Sequence, residues 1–350
     1  MPDRPTRIAL IGCGWAGERH AHGHLRHGAT LAWLIDAQES RAVALRAGLG
    51  AAGTAAQIAT DYRTALADPA VDAVDICLPH DLHAPVALAA AAAGKHILVE
   101  KPLAATLAEA DAMIAAAERA NVVLMVAEHV RFDSVLLKVR DLLREGVIGR
   151  PALVQLTREC YLRQSFMVDR PWFLNARAAA GGIMMSGGIH DFETLRMLIG
   201  EVVSIHALRA RQRFLEMQGD DTSVALVRFV DGTVGTLVES FLMKSLTTAA
   251  GPEVHTLRID GDLGHLSVGE GRRIRLFSEH PDWSRDGLLA AHELHVPEDD
   301  PFAAEIAHFL ACLRTGVEPI TSGRSQRAPL SYVLAAYRAM ETGQPITLSS

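Results

Sequence analysis

The stretch Arg7-Ile8-Ala9-Leu10-Ile11-Gly12-Cys13-Gly14-Trp15-Ala16-Gly17 decides the fold of this chain. Its first half is a short apolar run typical of a buried strand, and its second half is a G-x-G-x-x-G loop that leads into a helix-compatible sequence. In such a loop the first glycine allows a tight turn, the second lets the backbone approach a pyrophosphate, and the third permits close helix packing. The pattern predicts a strand–loop–helix unit that binds a dinucleotide at the helix N-terminus. The loop residues predicted to contact this cofactor are Gly12, Gly14, Trp15, Ala16 and Gly17.

A second apolar strand, Leu31-Ala32-Trp33-Leu34-Ile35, follows the predicted helix and ends at Asp36. A carboxylate at this point can accept hydrogen bonds from the ribose hydroxyls of adenosine, and it would repel the 2′-phosphate of NADP. Arg41 and Gln38 lie close enough in sequence to weaken that repulsion. We therefore expect NAD as the cofactor, with NADP less favoured, and we assign Asp36 and Arg41 to the cofactor site.

Strands and helices alternate from Arg7 to about Ala127, which is the pattern of a doubly wound parallel sheet. Beyond it, strands of alternating polarity appear over 152–157, 202–208, 222–229 and 233–240. Asp231-Gly232 lies between two of these strands and is a strong hairpin signal. We predict an α/β chain with an N-terminal Rossmann domain over 1–127 and a C-terminal α+β domain over 128–350. The second domain is built on a large open antiparallel sheet with one exposed or dimer-covered face.

The run Ile97-Leu98-Val99 is typical of a buried parallel strand, and it leads into Glu100-Lys101-Pro102. The carboxyl ends of parallel strands form the ligand crevice of an open α/β sheet. Pro102 cannot continue a sheet ladder and biases Lys101 toward an extended conformation. A lysine held there can donate a proton or stabilise charge, whereas the alternative is a strand-capping ion pair between Glu100 and Lys101. This segment alone leaves both interpretations open.

Two more predicted strands end in polar residues that belong at the same crevice. The strand over 71–78 runs into Pro79-His80-Asp81-Leu82-His83, and the strand over 122–126 leads to Glu128-His129-Val130-Arg131-Phe132. A parallel sheet places such strand ends at one edge. The cofactor contacts predicted from these strand ends are Leu78, Pro79, His83, Glu100 and Lys101.

A glycine-rich loop over 181–188 precedes a helix that carries His190 in its first turns. A histidine beside such a loop can act as a general base near neutral pH, although a lone histidine at a helix start is more often structural. Tyr161 and Trp172 offer flat faces of the kind that stack on sugar rings, but either could equally be a core residue. The predicted substrate contacts are Lys101, Arg131, Tyr161, Trp172, Ser186 and His190.

His20, His24 and His27 recur at helical spacing after the glycine loop. One interpretation is a metal site, and the other is a solvated helix that happens to carry several histidines. The solvated helix is favoured, because no carboxylate or cysteine joins the cluster. We therefore predict no metal site.

Composition narrows the class of protein. A length of 350 residues exceeds the usual size of a single core, and 49% hydrophobic residues provide ample core material. The net charge of −7, from 34 basic and 41 acidic residues, argues against a nucleic-acid-binding surface. The four cysteines show no CxxC spacing, which favours reduced buried thiols. No transmembrane run or signal peptide is recognisable, so we expect a soluble cytoplasmic protein without a membrane partner.

Together these motifs resemble the glucose–fructose oxidoreductase, inositol dehydrogenase and rhizopine-catabolism family of NAD(P)-dependent oxidoreductases. The likeness rests on the glycine loop, the stretches 78–83 and 93–103, and the loop before His190. It implies a Rossmann domain followed by an open antiparallel sheet that often forms dimers and tetramers. It also implies that Lys101 is the catalytic or substrate-orienting lysine and His190 the acid/base histidine. Family members commonly carry an aspartate four residues before this histidine and often another three residues after it, where this chain has Ser186 and Glu193.

We expect an enzyme that moves a hydride between nicotinamide and a secondary alcohol or ketone of a sugar, cyclitol or related polyol. A homodimer or homotetramer formed through the C-terminal sheet is expected. The alternatives are a reductase of a non-sugar carbonyl or imine, a non-catalytic NAD-dependent regulator on the same fold, and a metal-dependent lyase or isomerase. The presence of both Lys101 and His190 weighs against the regulator. The spacing of the histidines does not favour the metal-dependent enzyme.

Overall fold

The apolar stretch at the start of the chain forms a central strand of a parallel sheet. The structure is a computed structural model that describes residues 4–244, 254–269 and 271–348. The strands of the first sheet are β1 (Arg7–Ile11), β2 (Thr30–Ile35), β3 (Gln57–Ala59), β4 (Ala73–Ile76), β5 (His96–Glu100) and β6 (Leu124–Ala127). Their order is β3-β2-β1-β4-β5-β6, and neighbouring strands are parallel. The predicted doubly wound sheet is confirmed, and its strand order reverses between β1 and β4, where such sheets bind ligands.

The helices among these strands are α1 (Trp15–Arg26), α2 (Glu39–Gly48), α3 (Arg63–Leu66), α4 (His83–Ala92) and α5 (Leu107–Ala120). Their ends follow from local sequence. The alanine-rich α4 stops just before Gly94, whose φ of +69° is a left-handed conformation that suits glycine. At the start of α5, Thr106 Oγ1 accepts the N–H of Glu109, and the Glu109 carboxylate accepts the N–H of Thr106. This capping box satisfies two backbone donors that the helix itself leaves without partners.

The chain then builds a second, nine-stranded sheet. Its strands are β7 (Pro151–Glu159), β8 (Val202–Arg209), β9 (Thr222–Phe229), β10 (Val234–Ser240), β11 (Val254–Gly261), β12 (Gly264–Val268), β13 (Arg273–Ser278), β14 (Ala290–His295) and β15 (Ile346–Thr347). Their order is β14-β13-β12-β11-β7-β10-β9-β8-β15. Strands β10 and β7 are parallel, and the other named pairs are antiparallel.

One face of this sheet is covered and the other is exposed. Along β9, Ala225 and Phe229 are buried, whereas Val224 and Leu226 are 40% and 53% exposed. Such an alternation with a period of two is typical of an antiparallel sheet that packs through one face. Strands β9 and β10 are joined by a turn in which Gly232 has a φ of +93°. The predicted hairpin is confirmed.

The remaining helices are α6 (Ser134–Arg144), α7 (Arg163–Val168), α8 (Ile183–Ser186), α9 (Gly188–Leu198), α10 (Pro301–Thr315) and α11 (Gly323–Thr342). The family resemblance implies a C-terminal helix over Pro329 to Thr342. In the structure α11 begins at Gly323 and Pro329 lies inside it. Leu330, Val333 and Ala336 are fully buried on one side of this helix, so packing of its apolar face outweighs the hydrogen bond that proline removes.

The chain divides into two compact units. The first contains the residues up to Phe132 and Asp300–Leu330, and the second contains Asp133–Asp299 and the residues from Ser331 onward. A single boundary near Ala127 therefore leaves out the return of residues 300–330 to the first unit. In that unit α10 packs on α1 and supplies Phe309 to the core around β1. The division of the chain into a cofactor domain and a substrate domain stays a prediction. None of the helices in the described ranges is both long and apolar enough to span a bilayer.

Candidate active site

The glycine loop is folded tightly between β1 and the residues after β4. Gly12 has a φ of +102°, and a Cβ atom there would lie 2.1 Å from the carbonyl oxygen of Cys77. A Cβ atom on Gly17 would lie 2.0 Å from the carbonyl oxygen of Gly12, so only glycine fits at either position. Gly14 differs, because nothing lies within 4 Å of its Cβ position. The backbone at Gly14 is therefore open to a ligand.

Helix α1 begins at this open position. Its N-cap, Gly14, makes no side-chain capping bond, so the first-turn N–H groups form the kind of helix N-terminus that binds anions. Asp36 follows β2, and its carboxylate accepts the N–H of Cys13 at 3.0 Å and the N–H of Gln38 at 2.9 Å. These two bonds hold a negative charge beside the loop. The residues present therefore fit a dinucleotide, because an open backbone at a helix N-terminus suits a pyrophosphate and a carboxylate beside it suits ribose hydroxyls.

The other predicted cofactor residues of this unit lie around the same loop. Trp15 is 49% exposed, and the Arg19 guanidinium lies 3.7 Å from the centroid of its ring. Ala16 is half-buried, and Arg41 lies half-buried in α2. Leu78 and Pro79 follow β4 and are half-buried. Their contacts with the cofactor stay predictions.

Glu100 ends β5, and its carboxylate links two parts of the first unit. Glu100 Oε2 accepts the backbone N–H of Lys101 at 3.0 Å, and Oε1 lies 3.3 Å from Nε2 of His20. The Lys101–Pro102 peptide bond is cis. The carboxylate is thus held between the backbone of the candidate catalytic lysine and a buried imidazole.

His83 is fully buried, and its ring joins two loops. Its Nδ1 lies 2.8 Å from the carbonyl oxygen of Pro102, and its Nε2 lies 2.9 Å from the carbonyl oxygen of Leu78. Whichever nitrogen carries the proton, the ring connects the residues after β4 with the turn that follows Lys101. The observed role is structural, because both ring nitrogens contact protein carbonyls. A direct contact of His83 with the cofactor stays a prediction.

The histidine-bearing face of α1 is not solvated, so that interpretation of the sequence was wrong. His20 and His24 are fully buried, whereas His27 is exposed. His20 Nδ1 lies 3.0 Å from both carboxylate oxygens of Asp75, and His24 Nε2 lies 2.7 Å from Asp75 Oδ2. The Cys77 thiol lies 3.5 Å from His20 Nδ1. A carboxylate and a thiol do join the cluster, and they come from β4 and the residue after it.

The short contacts in this cluster have the lengths of hydrogen bonds. Nδ1 of His20, a carboxylate oxygen of Asp75 and the Cys77 sulfur all lie within 4.8 Å of one another, which is also close enough for a shared ion. The nitrogen–oxygen separations of 3.0 Å and 2.7 Å are those of an ordinary hydrogen-bonded pair. The absence of a metal site stays a prediction.

The buried charges around His20 compensate one another. Burial opposes the charged form of the ring, but the Asp75 carboxylate outweighs burial and raises the pKa of His20 well above its ordinary value. Burial also opposes ionisation of Asp75, yet the His20 imidazolium lowers the pKa of that carboxyl group. Glu305 of α10 lies 3.6 Å from His20 Nε2, and burial raises its pKa well above the ordinary value. A buried pair of opposite charges therefore lies beside a carboxyl group whose ionisation is opposed by burial.

The second unit holds the other candidate residues. His190 lies in the first turn of α9 and is 6% exposed. Ser186 is the last residue of α8, and its N–H donates to the carbonyl oxygen of Gly182 at 3.0 Å. The serine that replaces the family's usual aspartate thus belongs to a different helix from the histidine. The Glu193 carboxylate lies 3.4 Å from Nη1 of Arg196, with which it forms an ion pair.

A charged cluster next to His190 was missed in the sequence. Arg158 of β7 donates from Nε to Asp191 Oδ2 at 3.0 Å and from Nη2 to Asp191 Oδ1 at 2.7 Å. His255 of β11 lies 3.1 Å from Asp191 Oδ1. Burial opposes ionisation of Asp191, but Arg158 outweighs it and holds the pKa of Asp191 well below its ordinary value. The sequence feature that could have indicated this cluster is Asp191, which directly follows the candidate histidine.

The contacts of the aromatic candidates and of Arg131 with substrate stay predictions. The Trp172 ring stacks on Phe173 with centroids 3.9 Å apart, and Phe173 belongs to a buried cluster. One face of Trp172 is therefore part of the core. Tyr161 is half-buried just after β7, and Arg131 is half-buried in a short 3-10 helix after β6.

Two family models match this chain. The model described as "Oxidoreductase family, NAD-binding Rossmann fold" matches residues 6–128, and the GFO/IDH/MocA C-terminal domain matches residues 136–267. The first match covers the parallel sheet and its glycine loop, and the second covers His190 and most strands of the second sheet.

Known proteins resemble the chain over nearly its whole length. The D-apiose dehydrogenase of Paraburkholderia graminis is 32% identical over 98% of this chain and 89% of that protein. The myo-inositol 2-dehydrogenase of Thermotoga maritima is 26% identical over 98% of both chains. The structure of a levoglucosan dehydrogenase with NADH and levoglucosan shares the fold, with a TM-score of 0.87 at 20% identity over 99% of this chain and 100% of that one. The chain therefore belongs to the Gfo/Idh/MocA family of NAD(P)-dependent dehydrogenases, which act on CH–OH groups of sugars and cyclitols.

Proposed function

We propose that this protein is an NAD-dependent dehydrogenase that transfers a hydride between nicotinamide and a secondary alcohol or ketone of a sugar, cyclitol or related polyol. One observation carries the proposal. Lys101 follows β5 at the carboxyl edge of the sheet that also bears the glycine loop, and the Glu100 carboxylate accepts its backbone N–H at 3.0 Å. The similarity to D-apiose and myo-inositol dehydrogenases supports a polyol as the substrate.

The residues that would hold the cofactor are those of the glycine loop and Asp36. The open backbone at Gly14 and the first turn of α1 would take the pyrophosphate. Asp36 would accept hydrogen bonds from the ribose hydroxyls, and its charge disfavours a 2′-phosphate, which supports NAD over NADP. When bound, NAD supplies the carbon that accepts or donates the hydride.

The protein's own groups would manage the proton of the reacting hydroxyl. In oxidation, His190 takes that proton while Lys101 donates a hydrogen bond to the same oxygen and stabilises its developing negative charge. The carbon loses its hydrogen with the bonding electron pair, and the carbonyl double bond forms. In reduction the proton returns from His190 to the oxygen. The proposed contacts with the remainder of the substrate come from Arg131, Tyr161, Trp172 and Ser186.

The exposed face of the nine-stranded sheet supports a homodimer or homotetramer. Val224 and Leu226 on β9, Leu208 on β8 and Val234 on β10 are between 40% and 60% exposed. These strands are neighbours in the sheet, and Leu208 pairs directly with Val224. Burying apolar surface contributes about 25 cal/mol per Å², so a second copy of this chain would stabilise this face. Analytical ultracentrifugation tests the assembly, and a monomer at micromolar concentration would contradict it.

Absorbance at 340 nm tests the reaction. Purified protein is mixed with NAD and a panel of aldoses and inositols that includes D-apiose, myo-inositol and levoglucosan, and the Lys101→Ala variant serves as the matched blank. We expect NADH to form with at least one polyol in the wild type only. If no polyol reacts but a parallel assay with NADH shows oxidation of NADH by non-sugar carbonyls or imines, the reductase alternative would replace the proposal. Tight NAD binding without turnover of any compound would favour a regulator.

A further inference from the structure

The buried imidazole of His20 is surrounded by three carboxyl groups from three elements. Its Nδ1 lies 3.0 Å from both oxygens of Asp75, on β4. Its Nε2 lies 3.3 Å from Glu100, at the end of β5, and 3.6 Å from Glu305, on α10. A neutral imidazole has one N–H donor, but here Nδ1 is hydrogen-bonded to Asp75 and Nε2 lies at ion-pair distance from two more carboxyl groups, a setting that fits a positively charged ring.

A permanent charge at full burial needs compensation, and the geometry supplies it. His20 and Asp75 are both 0% exposed, and Asp75 faces Nδ1 with both of its oxygens. An ion buried in this way is stable only when it is paired and hydrogen-bonded. The paired ring then presents its second N–H toward Glu100, whose own carboxylate is stabilised by that positive charge. Burial raises the pKa of Glu305, which weakens its competition with Glu100 for the cation.

Glu100 transmits this arrangement to the reactive residue. Its second oxygen accepts the backbone N–H of Lys101. A Glu100 carboxylate that is held in place therefore also holds the peptide group at the end of β5. The same turn is held from its other side by His83, which contacts the carbonyl oxygen of Pro102 at 2.8 Å. The orientation of Lys101 therefore depends on a chain of contacts that begins at Asp75.

We propose that His20 is a positioning residue: as a buried imidazolium held by Asp75, it fixes the Glu100 carboxylate and thereby orients Lys101 toward the reacting oxygen. This inference rests on the proposed function, because it assigns a role to residues that support the proposed catalytic lysine. His20 itself touches neither substrate nor cofactor in this scheme. The titratable and charged groups that surround this chain of contacts are His24, Asp75, Cys77, Lys101, Glu128, His129 and Glu305.

The central test compares His20→Gln with His22→Gln, a control on the exposed side of the same helix. His20→Gln keeps a polar side chain but removes the positive charge. We expect kcat to fall roughly 10- to 100-fold, the range that a misplaced catalytic group produces, while the dissociation constant for NAD measured by fluorescence stays within about twofold. Without the imidazolium, Glu100 becomes protonated at higher pH. The acid limb of the kcat profile should therefore move to higher pH.

A double-mutant comparison separates positioning from general destabilisation. Glu100→Gln should lower kcat by a similar factor, and adding His20→Gln to it should cause little further loss, because both changes break the same chain of contacts. Multiplicative losses in the double variant would overturn the proposal. Normal kcat for His20→Gln would also overturn it, whereas the absence of turnover of every polyol by the wild type would overturn the proposed function itself.

A measurement on the unmodified holoenzyme keeps the proposal testable if His20→Gln does not fold. Nitrogen NMR of protein labelled only at histidine reports the protonation of each ring. We expect one ring to remain doubly protonated at about pH 8.5, where ordinary histidines are neutral. Loss of every doubly protonated signal by that pH would overturn the proposal. So would one transition-metal ion per chain in elemental analysis, because His20 would then bind an ion rather than carry a proton.

Discussion

Arg158 and Asp191 are joined by two hydrogen bonds, from Nε to Oδ2 at 3.0 Å and from Nη2 to Oδ1 at 2.7 Å. The pair connects β7 to the first turn of α9, directly beside His190, and the Asp191 side chain is fully buried. Removing one partner of such a pair leaves an uncompensated buried charge. The pair therefore fixes α9, and with it the candidate acid/base residue, on the second sheet.

Arg158→Met should destabilise the protein by about 3–5 kcal/mol, because it leaves the Asp191 carboxylate buried without its main partner. Arg150→Met is the matched control, since Arg150 also pairs with an aspartate, Asp262, but its side chain is 93% exposed. Exposed pairs contribute about 0–1 kcal/mol. Urea unfolding of both variants at pH 7 gives the two free-energy losses. Equal losses would show that the buried pair has no special role.

The destabilisation by Arg158→Met should also depend on pH. The pKa of Asp191 is held below its unfolded value, so the pair's contribution is fully present above about pH 4–5 and is lost as the pH falls through the folded pKa. In Arg158→Met, protonation of Asp191 in acid removes the free-energy cost of burying an unpaired carboxylate. The difference in unfolding free energy between wild type and variant should therefore shrink in acid. A difference that is constant from pH 7 down to about pH 3 would contradict this assignment.

Gly14→Ala and Gly17→Ala should have different effects, although both lie in the glycine loop. A Cβ atom at Gly14 meets nothing within 4 Å, whereas a Cβ atom at Gly17 would lie 2.0 Å from the carbonyl oxygen of Gly12. We expect Gly14→Ala to keep its melting temperature but to weaken NAD binding at least about tenfold, because the methyl group occupies the space for the pyrophosphate. Gly17→Ala should lower the melting temperature or prevent folding. Unchanged NAD affinity in a folded Gly14→Ala protein would place the pyrophosphate elsewhere.

Asp36→Asn should reduce the preference for NAD over NADP. The change keeps the size of the side chain but removes the charge that opposes a 2′-phosphate. We expect the ratio of kcat/KM for the two cofactors to fall roughly 10- to 100-fold, since each factor of ten corresponds to about 1.4 kcal/mol. The control is Glu39→Gln, which removes one exposed charge at the start of α2. An equal effect of both variants would indicate that general charge, rather than Asp36, sets the preference.

Lys101→Ala and His190→Ala should each lower kcat by about 10²–10⁴-fold, the usual contribution of a general acid or base. Neither residue belongs to the glycine loop, so the dissociation constant for NAD should change little. The control is His27→Ala, an exposed histidine at the end of α1. Steady-state kinetics together with NAD titration checks both expectations. Near-normal turnover in either variant would remove that residue from the mechanism.

The sequence by itself determined the features that depend on neighbours along the chain. The apolar runs and the glycine spacing predicted β1, the loop and α1, since a tight turn needs glycine at Gly12 whatever surrounds it. Asp231-Gly232 predicted the hairpin between β9 and β10 for the same local reason. The apolar run Ile97-Leu98-Val99 predicted Lys101 at the end of a strand, and β5 does end one residue before it.

Which distant side chains meet could be seen only in the folded chain. His20 was taken for a surface histidine because no carboxylate or cysteine was recognised as part of its cluster. Its partners Asp75, Glu100 and Glu305 come from two strands and a helix far along the chain. The return of residues 300–330 to the first unit could not be predicted either, because the residues they contact lie far away along the chain. Helix and strand periodicity reports which side of an element is apolar, but burial of a charge depends on an opposite charge that folding brings to it. The glycine loop could therefore be predicted from the chain alone, whereas the ionic support behind Lys101 could not.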